Sequence, residues 1–373
     1  MKKIGNKKKV FVAMSGGVDS SVAAAILKKQ GYEVTGVFMK NWSQPVETYS
    51  KKKSLCWIDE RRDAIRVAAK LGIPLLTFDF EKEYRKWVVD YMFREYKAGR
   101  TPNPDIQCNK LIKFPLFLKR AKKMGADFIA TGHYARLAER KKSEDKAFSL
   151  FQAKDKTKDQ SYFLWTLGQE QLKHCLFPIG DYLKSEVRRI AKKLGLANAQ
   201  KKGTSGICFI GEVKLREFLK KRIKEKPGKI ITTEGKVVGR HPGIFYFTIG
   251  QRRGLPAGRH GFEISGKKPY YVAAKDAKNN ILIVAEGENN PALYKKEVEL
   301  KEVSFINRQA ATKKKQLVLA RVRYRQPLSQ AVIYKKGGNY NLIFKKPQKF
   351  VAPGQSAVFY SKAEELLGGG IIS

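Results

Sequence analysis

The first 210 residues alternate between short apolar runs and amphipathic segments with helical spacing. Ser20 to Lys29 has helical spacing and stops at Gly31, and "IDERRDAIRVAAKLG" repeats the pattern and closes at Gly72, because glycine commonly ends a helix. "KSEVRRIAKKLG" and "EVKLREFLKKRI" predict two later helices. The predicted strands are "VFVAM", "YEVTGVFMK", "IPLLTFDF" and "ADFIATGHY". This alternation predicts an α/β domain with a parallel sheet, whose ligands bind beyond the carboxyl ends of the strands.

The pattern changes from about Lys226, where short segments alternate apolar and polar residues between glycines, prolines and asparagines. Such a pattern is typical of small β barrels or sandwiches. The run "GENNPALYKK" separates two such modules, and the polar residues 138–147 indicate a hairpin tip or an exposed loop. We therefore predict three domains: 1–212, a catalytic parallel-sheet domain; 213–288, a small β domain with a leading helix; and 289–373, a barrel-like domain.

A glycine-rich turn, "AMSGGVDSS", follows the first predicted strand. It lacks the lysine of a Walker loop. Its glycines let backbone N–H groups surround an anion, at a helix start that favours negative charge. Ser20 and Ser21 would add hydroxyl donors, and Asp19 would serve as an N-cap or as a magnesium ligand beside phosphate. A plain strand–turn–helix connection is the alternative, and the complete run argues for the phosphate site.

Charge and cysteine usage narrow the class of protein. The chain has 76 Lys and Arg against 34 Asp and Glu, a net charge of +42, which favours a polyanionic partner such as nucleic acid over a merely lysine-rich surface. Its four cysteines show no zinc spacing, so no resident metal is predicted, and their scarcity favours a reducing compartment. No apolar run is long enough for a signal h-region or a membrane span. We expect a cytoplasmic protein.

Two cysteines lie in unusual settings. Cys108 follows two prolines in "TPNPDIQCNKLIKF", with Lys110 and Lys113 just beyond it. The polar, proline-rich setting argues against burial, and the lysines would favour a thiolate. Cys208 lies in the glycine-rich "KGTSGICFIGE". Two such cysteines on a nucleotide-binding domain indicate a dithiol cycle, in which one carries sulfur and the other resolves it.

The loop resembles the Ser-Gly-Gly-x-Asp-Ser motif of the N-type ATP pyrophosphatases, whose domain is adenine nucleotide alpha hydrolase-like. With the two cysteine stretches, the whole chain resembles the tRNA-specific 2-thiouridylase family. Further runs carry that resemblance: "FMKNW", "DAIRVAAKLGIP", "TGHYAR", "KDQSYFL", "FTIGQRRGL", "RVRYRQ" and "APGQSAVFY". "SQPVETYSKKKSL" and the Arg61–Arg62 pair depart from the family pattern and put any role of Cys56 in doubt.

The resemblance implies ATP with transient Mg²⁺, a tRNA anticodon arm with its wobble uridine, and a persulfide donor protein, with no membrane or DNA partner. The residues implied for ATP are Ala13, Met14, Ser15, Gly16, Gly17, Val18, Asp19, Ser20, Met39 and Gly132. Those implied for the target base are Asn103, Pro104 and Asp105, and Asp105 could also move protons. Those implied for tRNA are His133, Lys158, Asp159, Gln160, Tyr324, Arg325 and Gln355. Cys108 would be the nucleophile and Cys208 the persulfide carrier.

The implied reaction adenylates the C2 oxygen of the uridine and then delivers sulfur. Cys108 would release hydrosulfide from the persulfide, or reduce an intermediate and end as a Cys108–Cys208 disulfide. "ARVRYRQP" predicts a strand with Arg321, Arg323 and Arg325 on one side, facing RNA. Cys175 is predicted to be structural, and His174, His241 and His260 to be surface or packing residues. The rival functions are a pyrophosphate-loop ligase for another substrate and a non-catalytic RNA-binding protein.

Overall fold

The structure is a computed structural model of the chain. It describes residues 7–43, 46–47, 53–54, 56–140, 147–201, 215–255, 268–307 and 315–373. Cys208 and His260 lie outside these ranges, so the predictions that concern them have no structural counterpart here.

The first half of the chain is an α/β unit built on a parallel sheet. Its strands are β1 (Lys9–Ala13), β2 (Glu33–Lys40), β3 (Val46–Glu47), β4 (Lys53–Ser54), β5 (Leu75–Asp79), β6 (Phe128–Ala130), β7 (Ala135–Arg140), β8 (Ala147–Gln152) and β9 (Cys175–Leu176). The sheet order is β5-β2-β1-β6-β9, and every pairing within it is parallel. The four predicted strands are confirmed, whereas the two-residue strand β9 is too short to show in an apolar pattern.

Helices cover both faces of this sheet. They are α1 (Val18–Lys29), α2 (Cys56–Leu71), α3 (Glu81–Tyr84), α4 (Asp90–Lys97), α5 (Pro104–Cys108), α6 (Phe117–Lys123), α7 (Gln169–Leu172), α8 (Lys184–Lys193) and α9 (Leu215–Lys220). π-helical turns at Arg85–Val89 and Asn109–Leu116 connect α3 to α4 and α5 to α6. Gly31 and Gly72 end α1 and α2 at φ of 89° and 57°, the left-handed conformation that glycine adopts freely.

The core of this unit lies on both sides of β1. Val10 and Val12 pack into one buried cluster, together with apolar residues of α1, and Phe11 and Ala13 pack into another. Successive residues of a strand point to opposite faces, so a continuous apolar run such as β1 is buried on both sides. The loops at the carboxyl edge of the sheet therefore extend from strands that are packed on both faces.

A four-stranded sheet follows, as the change of pattern near Lys226 predicts. It comprises β10 (Gly228–Thr232), β11 (Val237–His241), β12 (Tyr270–Asp276) and β13 (Ile281–Glu286). The order is β11-β10-β13-β12, with β10 and β13 parallel and the other pairs antiparallel. Ile230, Val272 and Leu282 are fully buried in its core.

The chain ends in a closed barrel. Its strands are β14 (Tyr294–Phe305), β15 (Lys315–Arg321), β16 (Ser329–Lys336), β17 (Asn339–Lys349), β18 (Ser356–Tyr360) and β19 (Glu365–Ile372). The order β14-β17-β16-β15-β18-β19 returns to β14 through the β14–β19 pairing. The prediction of an N-terminal parallel-sheet domain followed by β-rich units is therefore confirmed.

The barrel is joined to the α/β unit by a shared sheet. β7 and β8 pair antiparallel, which agrees with the hairpin that was one of the two alternatives for residues 138–147. β8 also pairs with β19, placing Leu150 opposite Leu366. The hydrogen-bonded ladder therefore runs from the barrel into the first domain and fixes the position of one against the other.

Candidate active site

The glycine-rich loop leaves β1 at the carboxyl edge of the parallel sheet and opens α1. Gly16 has a φ of 73°, and a Cβ there would lie 2.2 Å from the carbonyl oxygen of Glu60. Gly17 has φ −88° and ψ 159° at the N-cap of α1, and no side chain caps the helix. The loop thus packs tightly against α2, while its helix N-terminus, which favours anions, has no side-chain cap.

The serines of the loop brace it from within. Ser20 Oγ accepts from Ser15 N at 3.2 Å and donates to Gly17 O at 3.1 Å, and Ser21 Oγ donates to the same carbonyl at 2.9 Å. From the other side, Asn198 Nδ2 donates to Gly16 O and to Ser21 Oγ, each at 2.9 Å. Both hydroxyls therefore donate to Gly17 O within the loop, and their predicted donation to a bound anion stays a prediction.

Asp19 is not the N-cap of α1, which corrects one of its two predicted roles. Lys184 Nζ lies 2.5 Å from Asp19 Oδ1, and Tyr134 OH donates to the same oxygen at 2.9 Å. Lys184 is the first residue of α8, at the end of the connection that follows β9. A cation therefore stands beside the phosphate loop although the loop itself contains no lysine. Burial, followed by the neighbouring Asp19, raises the pKa of Tyr134, so its hydroxyl stays a donor.

Met39 lies on β2 and Gly132 lies two residues beyond β6, and these two strands neighbour β1 in the sheet. Met39 is buried near the carboxyl end of β2, and Gly132 follows β6. A Cβ on Gly132 would lie 2.6 Å from Ser20 N. Only glycine therefore permits this approach to the start of α1. Both predicted nucleotide residues stand at the same sheet edge as the loop.

The segment Asn103–Cys108 forms a helix and not the predicted loop. Asn103 caps α5 by accepting from Ile106 N at 3.2 Å, and Pro104 occupies the first helical turn, where its missing N–H costs nothing. Cys108 ends this helix and is 0% exposed. The expectation that the prolines keep Cys108 exposed is wrong, because here they start a helix whose inner face packs into the core.

The two lysines beyond Cys108 have different surroundings. Lys110 pairs with Glu302 of β14 at 2.8 Å. Lys113 is buried, and its charge adds to the burial of His133 in holding the pKa of that imidazole well below its usual range. His133 contacts Thr131 Oγ1 at 2.7 Å and packs against the Phe114 ring. The imidazole is thus inside the domain, behind the surface where a tRNA contact was predicted.

Asp159 is a buried junction between domains. Its carboxylate accepts from Gln152 Nε2, Ala153 N and both donor groups of Ser161 at 3.0–3.2 Å. Arg321, at the end of β15, lies 3.3 Å away, and the two side chains are 1% and 7% exposed. The side chain of Asp159 is therefore used within the protein. Its half-buried neighbours Lys158 and Gln160 lie nearer the surface, where Gln160 accepts from Tyr134 N at 3.0 Å.

The predicted arginine stripe does not form, because β15 ends at Arg321 and the chain then turns. Arg323 donates to Ile249 O of the central domain at 2.6 Å, and only Arg325 is exposed. Arg325 has a φ of 66° and lies over the Tyr324 ring at 5.2 Å. Tyr324 packs on Phe163 with ring centroids 4.5 Å apart. The turn thus presents one arginine and one aromatic ring beside the first domain.

The remaining predicted residues are placed as follows. Gln355 donates to backbone carbonyls of the segment that leads into α5. Cys175 is buried, which raises the pKa of its thiol and agrees with a structural role. His174 is half-buried and His241 is buried, which agrees with the prediction that they are surface or packing residues. Across the described ranges, no group of three or more potential ligands could hold a metal ion. None of the helices in those ranges is long and apolar enough to cross a membrane.

Sequence reasoning missed Lys184 and Asn198, and it predicted Arg321 to face RNA, whereas Arg321 pairs with Asp159. Each acts through a contact with a residue more than 160 positions away, so no local spacing marks it. The helix that Lys184 opens was predicted, but the two-residue strand β9 before it was not. The position of Lys184 at the carboxyl edge of the sheet, where ligands bind, could therefore not be predicted from the sequence.

Three family models match consecutive parts of the chain. They are described as a tRNA methyl transferase HUP domain over residues 8–212, a tRNA methyl transferase PRC-barrel domain over 216–286 and an aminomethyltransferase beta-barrel domain over 295–372. The solved structure of a 4-thiouridine synthetase–RNA complex with bound ATP matches 57% of this chain and 50% of that one, at 20% identity and a TM-score of 0.37. That likeness is too distant to bear on function.

Curated relatives are much more similar. The tRNA-specific 2-thiouridylase of Pseudomonas fluorescens (strain SBW25) is 47% identical, over 98% of this chain and 95% of its own length. That of Streptococcus uberis (strain ATCC BAA-854 / 0140J) is 45% identical over the same shares. That of Christiangramia forsetii (strain DSM 17595 / CGMCC 1.15422 / KT0803) is 42% identical over 98% of this chain and 100% of its own. The chain belongs to the tRNA-specific 2-thiouridylase family.

Proposed function

We propose that this protein is a tRNA 2-thiouridine synthase, an ATP-dependent sulfurtransferase that replaces the C2 oxygen of a wobble uridine by sulfur. The observation that carries the proposal is the braced phosphate loop at the carboxyl edge of the sheet, with Lys184 beside it, in a chain of this family. The domains 1–212, 213–288 and 289–373 would provide catalysis, connection and tRNA binding. A tRNA substrate favours the cytoplasm.

ATP would bind with its phosphates at the start of α1 and its adenosine between Met39 and Gly132. The uridine C2 oxygen attacks the α-phosphorus of ATP, and pyrophosphate leaves. The C2 oxygen is then bonded to the adenylate, so that it can later leave C2 as part of AMP, a better leaving group. Backbone N–H groups at the start of α1 and the Lys184 ammonium would stabilise the charge on the departing pyrophosphate. Lys184 thereby supplies the cation that the loop lacks.

Magnesium fits this site as a companion of ATP. Asp19 is the carboxylate on the loop, and magnesium is commonly held by one or two carboxylates together with substrate phosphates. When bound, it would neutralise phosphate charge. Asp19, whose carboxylate also contacts Lys184 and Tyr134, would hold it.

The tRNA would approach across the junction between the first domain and the barrel. Asn103, Pro104 and Asp105 would meet the flipped-out base, and Lys158, Gln160, Tyr324 and Arg325 would meet the anticodon arm. The net charge of +42 supports this proposal, because lysines and arginines neutralise the phosphates of RNA. The affinity for tRNA should therefore fall steeply as the salt concentration rises. The buried Asp159 would stabilise this surface from within and would not contact tRNA through its side chain.

Sulfur would come from a persulfide on Cys208, charged by a donor protein. In one route the Cys108 thiolate attacks Cys208 Sγ and releases hydrosulfide, which attacks C2 and expels AMP. In the other route the terminal persulfide sulfur attacks C2 and expels AMP, and Cys108 then attacks Cys208 Sγ to free the thiouridine. Both routes end in a Cys108–Cys208 disulfide that an external thiol must reduce. Because Cys108 is 0% exposed, either route requires its helix to move.

The test is incubation with ATP, magnesium, a persulfide donor and unmodified tRNA, followed by mass spectrometry of the nucleosides. We expect 2-thiouridine at the wobble position, none with Cys208→Ser or Cys108→Ala, and near-normal product with Cys175→Ala. Cys175 is the matched control because it is also buried but lies on β9. Absence of 2-thiouridine with the intact protein would refute the proposal. That result would favour the rival function, a pyrophosphate-loop ligase that acts on another substrate.

A further inference from the structure

A turn that follows α8 holds a carbonyl group of the phosphate loop. Asn198 lies in this turn, is 3% exposed, and donates through Nδ2 to Gly16 O and to Ser21 Oγ, each at 2.9 Å. Its Oδ1 is buried and makes no hydrogen bond to a described residue. An amide turned the other way would place Oδ1 against Gly16 O, and both are acceptors. The contribution of this side chain therefore lies in its N–H donors.

The bond to Gly16 O sets the direction of the next N–H group. In a planar trans peptide the C=O and the N–H point to opposite sides, so Gly17 N–H is directed away from Asn198. The same relation holds one peptide further along, where Gly17 O accepts from two serine hydroxyls and Val18 N–H points the opposite way. Across the described ranges, neither Gly17 N nor Val18 N makes a hydrogen bond within the protein. Both N–H groups can therefore bind an anion at the start of α1.

This orientation needs an anchor because the peptide lies between two glycines. Flipping that peptide changes mainly ψ of Gly16 and φ of Gly17, and glycine adopts either sign of φ with little steric cost. A flipped peptide would turn the Gly16 carbonyl oxygen toward the anion and remove one donor. Asn198 opposes the flip, because its buried amide would then lose an acceptor.

The turn that carries Asn198 is itself held by two helices. Arg188 of α8 donates through Nη2 to Lys201 O at 3.2 Å, and Lys201 Nζ lies 2.8 Å from Asp63 Oδ2 on α2. Lys201 N also donates to Asn198 O at 2.9 Å. The Asn198 amide is therefore kept in place by contacts with α2 and α8, independently of the loop that it anchors.

We propose that Asn198 is a positioning residue, which keeps Gly17 N–H directed at the pyrophosphate part of ATP. The inference deepens the proposed function and rests on it for the identity of the nucleotide. It gives the turn after α8 a part in nucleotide selectivity. ATP gains affinity from the anchored loop, whereas AMP, which lacks the β- and γ-phosphates, does not.

The test compares Asn198→Ala and Asn198→Leu with the wild type. Both changes remove the donors without adding a charge, and leucine also keeps roughly the volume of the side chain, so a cavity does not decide the result. Gln200→Ala is the matched control, because Gln200 is an exposed residue of the same turn. Isothermal titration in magnesium buffer without tRNA gives the Kd for ATP and the Kd for AMP, and circular dichroism verifies that each variant is folded.

We expect the Kd for ATP to rise roughly 10- to 100-fold in both Asn198 variants, the usual loss for a hydrogen bond to a charged group, and the Kd for AMP to stay within about 2-fold of the wild type. Gln200→Ala should change neither value.

The ratio of the Kd for ATP to the Kd for AMP decides the outcome. A rise of this ratio by less than about 5-fold in the folded Asn198 variants would overturn the proposal, because Asn198 would then support the nucleotide site as a whole or not at all. A wild type that binds ATP but makes no 2-thiouridine would contradict only the proposed function, since both Kd values are measured without tRNA.

Discussion

Lys184 Nζ lies 2.5 Å from Asp19 Oδ1, across 165 positions of sequence. Asp19 belongs to the phosphate loop and Lys184 opens α8. The two side chains are 33% and 20% exposed, so the pair stands at the mouth of the site and not in the core. This ion pair positions the Lys184 ammonium at the surface of the site, where an anionic ligand could contact it.

Replacing Lys184 by Met should weaken nucleotide binding with little effect on the fold. A hydrogen bond to a charged group contributes about 1.5–3 kcal/mol, so we expect the KM for ATP to rise about 10- to 100-fold. The rate of tRNA-dependent pyrophosphate release against ATP concentration measures it. Lys192→Met, at an exposed position of the same helix, is the control and should leave the KM unchanged. Equal values for both variants would exclude a phosphate role for Lys184.

The two glycines of the loop should differ in their tolerance of alanine. At Gly16 the φ of 73° and the backbone of Glu60 both oppose a Cβ, whereas at Gly17 the nearest atom is Ser15 Oγ at 3.3 Å. We expect Gly16→Ala to lose the thermal stabilisation that ATP confers, because the loop must shift away from α2. Gly17→Ala should keep most of it, since its φ of −88° suits any residue. Thermal unfolding with and without ATP measures both, and a reversed order would contradict this account of the loop.

The sequence predicts the loop and its surroundings well because those features are local. The apolar run of β1, the paired glycines and the helix of α1 are adjacent in sequence, and each has its own spacing signal. The burial of Cys108 was not predictable in this way. The prolines at 102 and 104 suit an exposed loop as well as a helix start, and the choice depends on Asn103 capping α5 and on the core beneath Ile106.

Contacts between domains could not be predicted from the sequence either. Alternating arginines in "RVRYR" fit a strand, but the strand ends once Arg321 pairs with Asp159 and Arg323 meets the carbonyl of Ile249. Both partners belong to other domains, so the pairing depends on how the barrel docks. Tertiary contacts here override the local period, as they commonly do for strands.

The Asp159–Arg321 pair should contribute strongly to the docking of the barrel. Removing one partner of a buried ion pair commonly costs about 3–5 kcal/mol, and we expect Arg321→Met to lower the free energy of unfolding by that order. Asp159→Asn combined with Arg321→Met should be less destabilising than the sum of the single changes, because no charge is then left unpaired. Urea unfolding of the four proteins measures the coupling.

An exposed pair spanning the same two domains provides the control. Lys156 pairs with Glu364, and the two side chains are 48% and 40% exposed, against 7% and 1% for Arg321 and Asp159. Lys156→Met should cost at most about 1 kcal/mol. If Arg321→Met costs no more than Lys156→Met, the buried pair is not what holds the barrel in place.

The buried imidazole of His133 should make the protein less stable in mild acid. Burial and the Lys113 charge hold its pKa well below the ordinary value of 6.5, so the folded state stays unprotonated where the unfolded state binds a proton. The unfolded state then takes up more protons, and stability falls as the pH drops below about 6.5, by about 1.4 kcal/mol per pH unit for this group. His133→Gln, which can still bond to Thr131, should reduce that slope below pH 6.5, because the unfolded state then loses the group that takes up this proton. Urea unfolding at pH 7.5, 6.5 and 5.5 measures it.

Thr131→Val separates this titration from the loss of a hydrogen bond. It removes the partner of His133 Nδ1 but leaves the buried imidazole in place. We therefore expect a protein that is less stable at every pH and that keeps the wild-type slope. A His133→Gln protein with the wild-type slope would mean that the imidazole becomes protonated in the folded state, so that the burial of His133 does not govern acid stability. The difference in slope between the two variants decides the question, because both lose stability but only one loses the titrating group.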